Sequence, residues 1–313
     1  MLLDIILLVV GFVLLIKGAD IFVEGASKLA AKFHIPEIVI GLTIVAFGTS
    51  APEAAVSITS AFKGTAGIAV GNVIGSNICN VLLILGAAGT IAALKVKNNT
   101  LKIETPFTIV ITLLLLLVGT LGNSVSFLDG VILWGFFLAF LGYLFWLSKN
   151  GEDAGDDIPE LEENDTLVKL LAMIVLGIAA IVFGSDLTVD SASHIAASFG
   201  VSNRIIGLTI VALGTSLPEL VTSVNASLKG KTDIAIGNVI GSNIFNILFV
   251  LGTAALVSPT PIPFDSKFLM DFIVAIVALV LFVLFINKKD MSLRKSGAII
   301  MLVCYIAYII SIL

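Results

Sequence analysis

Gly41-Leu42-Thr43-Ile44-Val45-Ala46-Phe47-Gly48-Thr49-Ser50-Ala51-Pro52-Glu53 recurs 166 residues later as GLTIVALGTSLPE, Gly207 to Glu219. A second block, GNVIGSNICN from Gly71 to Asn80, recurs at the same offset as GNVIGSNIFN, Gly237 to Asn246. The register runs without a gap from Gly18/Gly184 to Gly86/Gly252, with 37 identities in those 69 pairs. Chance similarity between apolar helices does not match Gly, Pro, Asn, Ser and Glu in step, so the chain contains an internal duplication.

The duplicated blocks sit in a very apolar chain. Of 313 residues, 58% are hydrophobic and 12% charged, and the mean hydropathy is +1.14. A soluble fold carries about twice that charge and cannot hide so much apolar surface. Two cysteines and a net charge of −5 argue against a disulfide scaffold, a disordered chain and a nucleic-acid binder. A polytopic membrane protein remains. Met1 to Ile16 is apolar without a basic start or small-residue cleavage site, which predicts a first membrane helix rather than a cleaved leader.

A membrane helix needs about 20 apolar residues. Ten such runs are predicted: 2–26, 36–62, 67–93, 104–122, 127–148, 167–192, 202–228, 233–258, 268–287 and 296–312. Only the acidic connection 149–166 is long, and it is too short for a core of its own. The expected organisation is therefore 1–148 as a first five-helix unit, 149–166 as a linker, and 167–313 as a second unit. Alternate connections hold 13 of the 17 Lys and Arg residues, against three on the other side and Lys17 within the first run. The excess marks the cytoplasmic side, which places the linker inside and both termini outside the cell membrane. Five runs separate each motif from its copy, and an odd number reverses the chain. Inverted repeats with interrupted helices that meet near the midplane characterise secondary transporters.

The motifs state what such a site can hold. Pro52 has no N–H, and its ring collides with the carbonyl of Gly48. The run should break there and release the carbonyls from Ala46 to Thr49; Pro218 predicts the same near Ala212 to Thr215. Irregular backbone survives at membrane depth only beside a cavity or an ion. Ser50-x-x-Glu53 and Ser216-x-x-Glu219 also read as capping boxes, yet capping does not explain an ionisable residue at mid-span, which costs about 2.5–3.5 kcal/mol. Gly71/Gly75 and Gly237/Gly241 read as close-packing motifs. Ser76 with Asn80, and Ser242 with Asn246, each share a helical face four residues apart. Two carboxylates, hydroxyls, amide oxygens and carbonyls suit hard cations: one calcium balances two glutamates, and sodium ions suit the same oxygens. Asp20/Glu24 and Asp186/Asp190 read as interfacial charges or an ion-attracting vestibule. His34 and His194 read as surface residues.

On GLTIVAFGTSAPE with GNVIGSNICN, and on their copies, the sequence resembles the calcium/cation antiporter superfamily, within its sodium/calcium exchanger branch of prokaryotic type. The resemblance implies an all-α polytopic membrane protein with ten transmembrane helices, built as two inverted five-helix repeats with broken helices at the ion site. It implies that Glu53 and Glu219 hold calcium, helped by the Thr49 and Thr215 carbonyls. Thr49, Ser50, Ser76 and the Ala46 carbonyl would line one sodium site, and Thr215, Ser216, Ser242 and the Ala212 carbonyl its mirror. Asn80 and Asn246 would face each other at the centre. Many members carry Asp at one of these two positions, whereas this chain has Asn at both.

The function implied is antiport of calcium against sodium by alternating access, with potassium dependence left open. Proton/calcium antiport on the same two glutamates is the alternative. A passive cation channel fits the broken helices but not the inverted duplication. An enzyme is not expected, because no HExxH motif and no His within a span is present to serve a nucleophile. The expected partners are calcium, sodium and the lipid bilayer. No prosthetic group, nucleic acid or protein partner is implied, and a monomer suffices.

Overall fold

The computed structural model describes residues 2–63, 67–150, 161, 164–200, 212–265 and 267–312. Almost all of the regular structure is helical. In chain order the helices are α1 Leu2–Phe33, the bent pair α2 Glu37–Thr49 and α3 Ala51–Phe62, α4 Gly67–Ile91, α5 Thr100–Gly122, α6 Phe127–Asn150, α7 Leu167–Ser198, α8 Leu217–Leu228, α9 Thr232–Val257, α10 Phe268–Leu284 and α11 Lys295–Ile312. A short helical turn, Ala212–Gly214, precedes α8. Among the described residues seven helices are long and apolar enough to cross a membrane, and the bent pair makes an eighth. The protein is thus a helical polytopic membrane protein. Of the ten expected runs, 268–287 holds a helix of 17 residues, and 202–228 is described only from Ala212. The Gly207 to Val211 part of the second motif, and most of the acidic linker, lie outside the described residues.

Burial separates the helices into layers. The most apolar windows of α4 and α9 are 72% and 94% buried, against 22–33% for the other five long helices. α4 and α9 therefore form the centre, and the others turn apolar side chains such as Leu117, Leu138, Val175 and Val303 outward, as a lipid-facing surface requires. α1 and α7 have 32 residues each, about 48 Å at 1.5 Å per residue. That exceeds the hydrocarbon core of about 30 Å, so they extend beyond the expected first and sixth runs. They cross with Gly11 against Gly184. A Cβ on Gly11 would stand 3.0 Å from the Gly184 carbonyl, and one on Gly184 2.9 Å from the Gly11 carbonyl.

The same device brings α2 onto α9. A Cβ on Gly41 would lie 3.0 Å from the Gly237 Cα, and one on Gly237 2.9 Å from the Gly41 Cα. The close-packing reading of Gly237 thus holds, and it seats the first half of the bent span directly on the central helix.

One small strand pair, and a hairpin of the second half that the first half joins, stitch the halves together. β1, Ser124–Val125, pairs antiparallel with β2, Ile262–Pro263, and Phe264 N–H donates to the Asn123 carbonyl at 3.0 Å. β3, Ile286–Asn287, pairs antiparallel with β4, Ser292–Leu293. The chain after α4 joins this second hairpin, with Val96 N–H donating to Met291 O at 2.6 Å and Leu293 N–H to Leu94 O at 2.9 Å.

Candidate functional site: a buried cation centre

The bend that Pro52 predicts is present. α2 and α3 meet at 54°, with Ser50 between them (φ −81°, ψ 8°) and Pro52 in the first turn of α3. Pro218 occupies the same place in α8. One detail differs from expectation: the Ala46 carbonyl keeps a helical partner, accepting from Ser50 N–H at 3.0 Å. The helix holds one residue longer than the steric argument implied, because the clash falls on Gly48. The Thr49 hydroxyl also approaches this carbonyl, at 3.4 Å; when that hydroxyl donates to Asn238 Oδ1 instead, the second lone pair of the Ala46 carbonyl is left for a cation.

The capping-box reading is corrected. Neither Ser50 nor Ser216 makes a side-chain cap bond to its own helix. Each serine instead reaches into the other repeat. Ser50 Oγ donates to Glu219 Oε1 at 2.8 Å, and Ser216 Oγ donates to Glu53 Oε1 at 3.3 Å. Glu53 and Glu219 are 1% and 0% exposed and lie within electrostatic reach of each other. Ser76 neighbours Glu53, while Ser242 and Thr49 neighbour Glu219.

Around the carboxylates the bonds stop short. Glu53 Oε2, Glu219 Oε2, Asn80 Oδ1, Asn246 Oδ1 and Ser242 Oγ are buried without a hydrogen-bond partner. Native proteins rarely leave buried polar atoms unpaired, and leaving one so costs about 1–3 kcal/mol. Four of these five atoms can only accept, and they form two repeat-related pairs. A set of buried oxygens that lacks donors is what a desolvated cation completes. Among the described residues no three His, Cys, Asp or Glu side chains come together, so the donor set is two carboxylates with hydroxyl, amide and carbonyl oxygens.

Asn80 and Asn246 do not bond to each other. Asn80 Nδ2 donates to Asn243 Oδ1 at 3.0 Å, and Asn246 Nδ2 donates to Asn77 Oδ1 at 3.1 Å. Both central asparagines lie in π-helical turns, Cys79–Leu85 and Asn246–Leu251, the kind of local widening that clusters at functional sites. A second layer was also missed. Asn72 Nδ2 donates to Ser57 Oγ at 2.9 Å and to the Glu53 carbonyl at 3.3 Å. Asn238 Nδ2 mirrors it on Ser223 Oγ at 2.9 Å and the Glu219 carbonyl at 3.4 Å, while Thr49 Oγ1 donates to Asn238 Oδ1 at 2.9 Å. These amides tie each carboxylate-bearing helix to its central helix. The signal for them was in plain view, since Ser57/Ser223, Asn72/Asn238 and Asn77/Asn243 are all identities of the same repeat.

The remaining candidates stand apart. Asp20 pairs with Lys229 at 2.6 Å and Glu24 with Lys28 at 3.1 Å. Asp186, Asp190, His34 and His194 are exposed or half-buried, and His194 meets Asp4 at 3.3 Å. The surface reading of His34 and His194 holds. Thr215 is half-buried beside Ser216, and Ala212 opens the short turn before it.

The family model described as sodium/calcium exchanger protein matches residues 3–146 and 169–313. The chain is similar to the putative antiporter CaxA of Alkalimonas amylolytica, at 42% identity with 98% of each chain covered. It is similar to the sodium/calcium exchanger MaX1 of Methanosarcina acetivorans, at 32% identity with 97% of each covered. The fold superposes on a structure of the sodium-calcium exchanger NCX_Mj with a TM-score of 0.85 and 32% identity, covering 100% of this chain and 99% of the other. Two matched segments that span nearly the whole chain, and relatives of the same length, leave one conclusion: the chain belongs to the sodium/calcium exchanger family.

Proposed function

We propose that the protein is an antiporter that exchanges calcium for sodium by alternating access, on a site shared by its two halves. The observation that carries this reading is the reciprocal crossing of Ser50 to Glu219 and Ser216 to Glu53, with acceptor oxygens left over on both sides. Residues 1–148 and 167–313 are the two halves, each of five membrane helices and inverted with respect to the other. The linker 149–166 is cytoplasmic and both termini lie outside.

In this reading Glu53 and Glu219 hold calcium with the Thr49 and Thr215 carbonyls. Thr49, Ser50, Ser76 and the Ala46 carbonyl form one sodium site, and Thr215, Ser216, Ser242 and the Ala212 carbonyl form the other. Asn80 and Asn246 supply neutral oxygens at the centre. The physical logic of exchange is charge. Two desolvated carboxylates without a counter-ion are strongly unfavourable in low dielectric, so the site crosses the membrane only when filled. One calcium or at least two sodium ions cancel the −2. Calcium and sodium then compete for the same two carboxylates and cannot both satisfy them. That competition couples the two fluxes without any prosthetic group or catalytic step.

The test is flux in vesicles reconstituted with purified protein. Calcium uptake should follow an imposed sodium gradient and should cease when internal sodium is replaced by choline. Uptake driven equally well by a proton gradient with sodium absent would overturn sodium coupling in favour of proton/calcium antiport. Uptake with no counter-ion at all would indicate a channel. Potassium added at fixed sodium decides whether it is a third transported ion.

A further inference from the structure

Asn77 and Asn243 lie outside the proposed ligand set, yet they are buried and each makes two bonds to the opposite half. Asn77 Nδ2 donates to the backbone carbonyl of Asn243 at 3.2 Å, and Asn243 Nδ2 donates to the backbone carbonyl of Asn77 at 3.3 Å. Their Oδ1 atoms accept from Asn246 and Asn80. An amide group can ordinarily be turned over without a visible change in shape, and its sense follows from the hydrogen-bond network. Here the network has one solution. A backbone carbonyl only accepts, so the Asn243 side chain must present its NH2 to Asn77 O, and its Oδ1 is left for Asn80. That oxygen also only accepts, so Asn80 must give it an NH2. The same chain of constraint runs from the Asn243 carbonyl through Asn77 to Asn246.

We propose that Asn77 and Asn243 are positioning residues, which lock the Asn80 and Asn246 amides so that both keep their oxygens for the cation. The proposal rests on the reading of Asn80 and Asn246 as ion ligands. Its support is the pair of unpartnered oxygens, Asn80 Oδ1 and Asn246 Oδ1, in side chains that are 1% and 0% exposed. A rotated amide would turn an N–H toward a positive charge, and the clasp removes that option before the ion arrives. The clasp also selects for amides. A carboxylate at either central position would set an acceptor against the Oδ1 of Asn77 or Asn243, and only its protonated form could donate there. The device sits where α4 and α9 meet, so each half orients the ligand of the other.

A double-mutant cycle on calcium KM tests this, with sodium-driven uptake measured in vesicles from full-length variants. Asn243→Ala should raise calcium KM about tenfold with maximal rate little changed, and Asn80→Ala should raise KM at least as much. The pair together should be no worse than Asn80→Ala alone, because Asn243 acts only through the amide it orients. Effects that multiply, or an unchanged KM in Asn243→Ala, would overturn the proposal while the ion site stands. An unchanged KM in Asn80→Ala would overturn the site itself, and the proposal with it. The mirror cycle, Asn77→Ala with Asn246→Ala, repeats the test if Asn243→Ala is not monodisperse on size exclusion. Loss of fold in both Asn77→Ala and Asn243→Ala would count against a positioning role and for a structural one.

Discussion

Glu53→Gln isolates charge from shape. The substitution keeps side-chain volume and keeps an Oε1 for Ser216 Oγ, and that bond, at 3.3 Å, is long enough to contribute little. What changes is the second oxygen, Oε2, which is buried without a partner. It becomes an NH2 that points hydrogens where an acceptor is required. Removing one member of a buried charge constellation costs about 3–5 kcal/mol, and each 1.4 kcal/mol is tenfold in affinity. Calcium binding should therefore fall by about 10²- to 4 × 10³-fold. Each sodium ion carries half the charge, and its loss should be smaller, about tenfold. The repeat relation demands the same result for Glu219→Gln. Calcium titration calorimetry on purified protein reads the affinity, uptake into proteoliposomes reads transport, and size exclusion confirms that the fold persists. Calcium affinity within tenfold of wild type in either variant would falsify the assignment of the two carboxylates to one divalent site.

Four further outcomes can be measured. Protons and cations compete for Glu53 and Glu219, so binding a cation releases protons; calcium uptake at subsaturating calcium should weaken as pH falls from about 8.5 to 5, and saturating calcium should oppose the loss. Asn246→Asp should steepen that profile by adding a titratable group that must be protonated to donate to Asn77 Oδ1, and an unchanged profile would remove position 246 from the cluster. Cysteines placed at 155 and at Lys289 should be shielded from impermeant reagents in intact cells, whereas those at Asn123 and Asp265 should be labelled; external labelling at 155 would reverse the orientation. Gly237→Val would set a Cβ 2.9 Å from the Gly41 Cα and should lower thermal stability in detergent by about 1–3 kcal/mol, an effect that a nearly wild-type melting curve would contradict.

The sequence shows which residues matter more clearly than it shows how they pair. Matched Ser, Glu and Asn at a fixed offset single out, from the sequence alone, side chains that the fold buries together. Ser50-x-x-Glu53, however, has the same spacing whether serine caps its own helix or reaches across to Glu219. Only the meeting of the two bends, which depends on Gly41 resting against Gly237, decides between them. Asn77 was passed over because counting four residues from Ser76 selects Asn80 for the shared helical face. That count assumes 3.6 residues per turn, and the π-helical turn from Cys79 to Leu85 changes the phase within the motif. At α1 and α7 the helix outruns the apolar run. Apolar runs mark where lipid ends, while a helix continues as long as its backbone is satisfied and a neighbour covers it.

The strand pairs that flank α5 have a consequence for assembly. Residues 94–96, just before α5, are bonded to the hairpin between α10 and α11, and residues 123–125, just after it, are bonded to the segment between α9 and α10. One half of the chain is thereby fastened to the other at both ends of the same helix, by bonds between backbone groups rather than between particular side chains. The acidic stretch 149–166 is then not the sole link between the halves, and at its end Asp165 adds another, pairing with Lys28 at 3.2 Å and accepting from Lys32 Nζ at 2.7 Å. Covalent continuity and backbone pairing thus hold the two halves in parallel, at separate places in the fold.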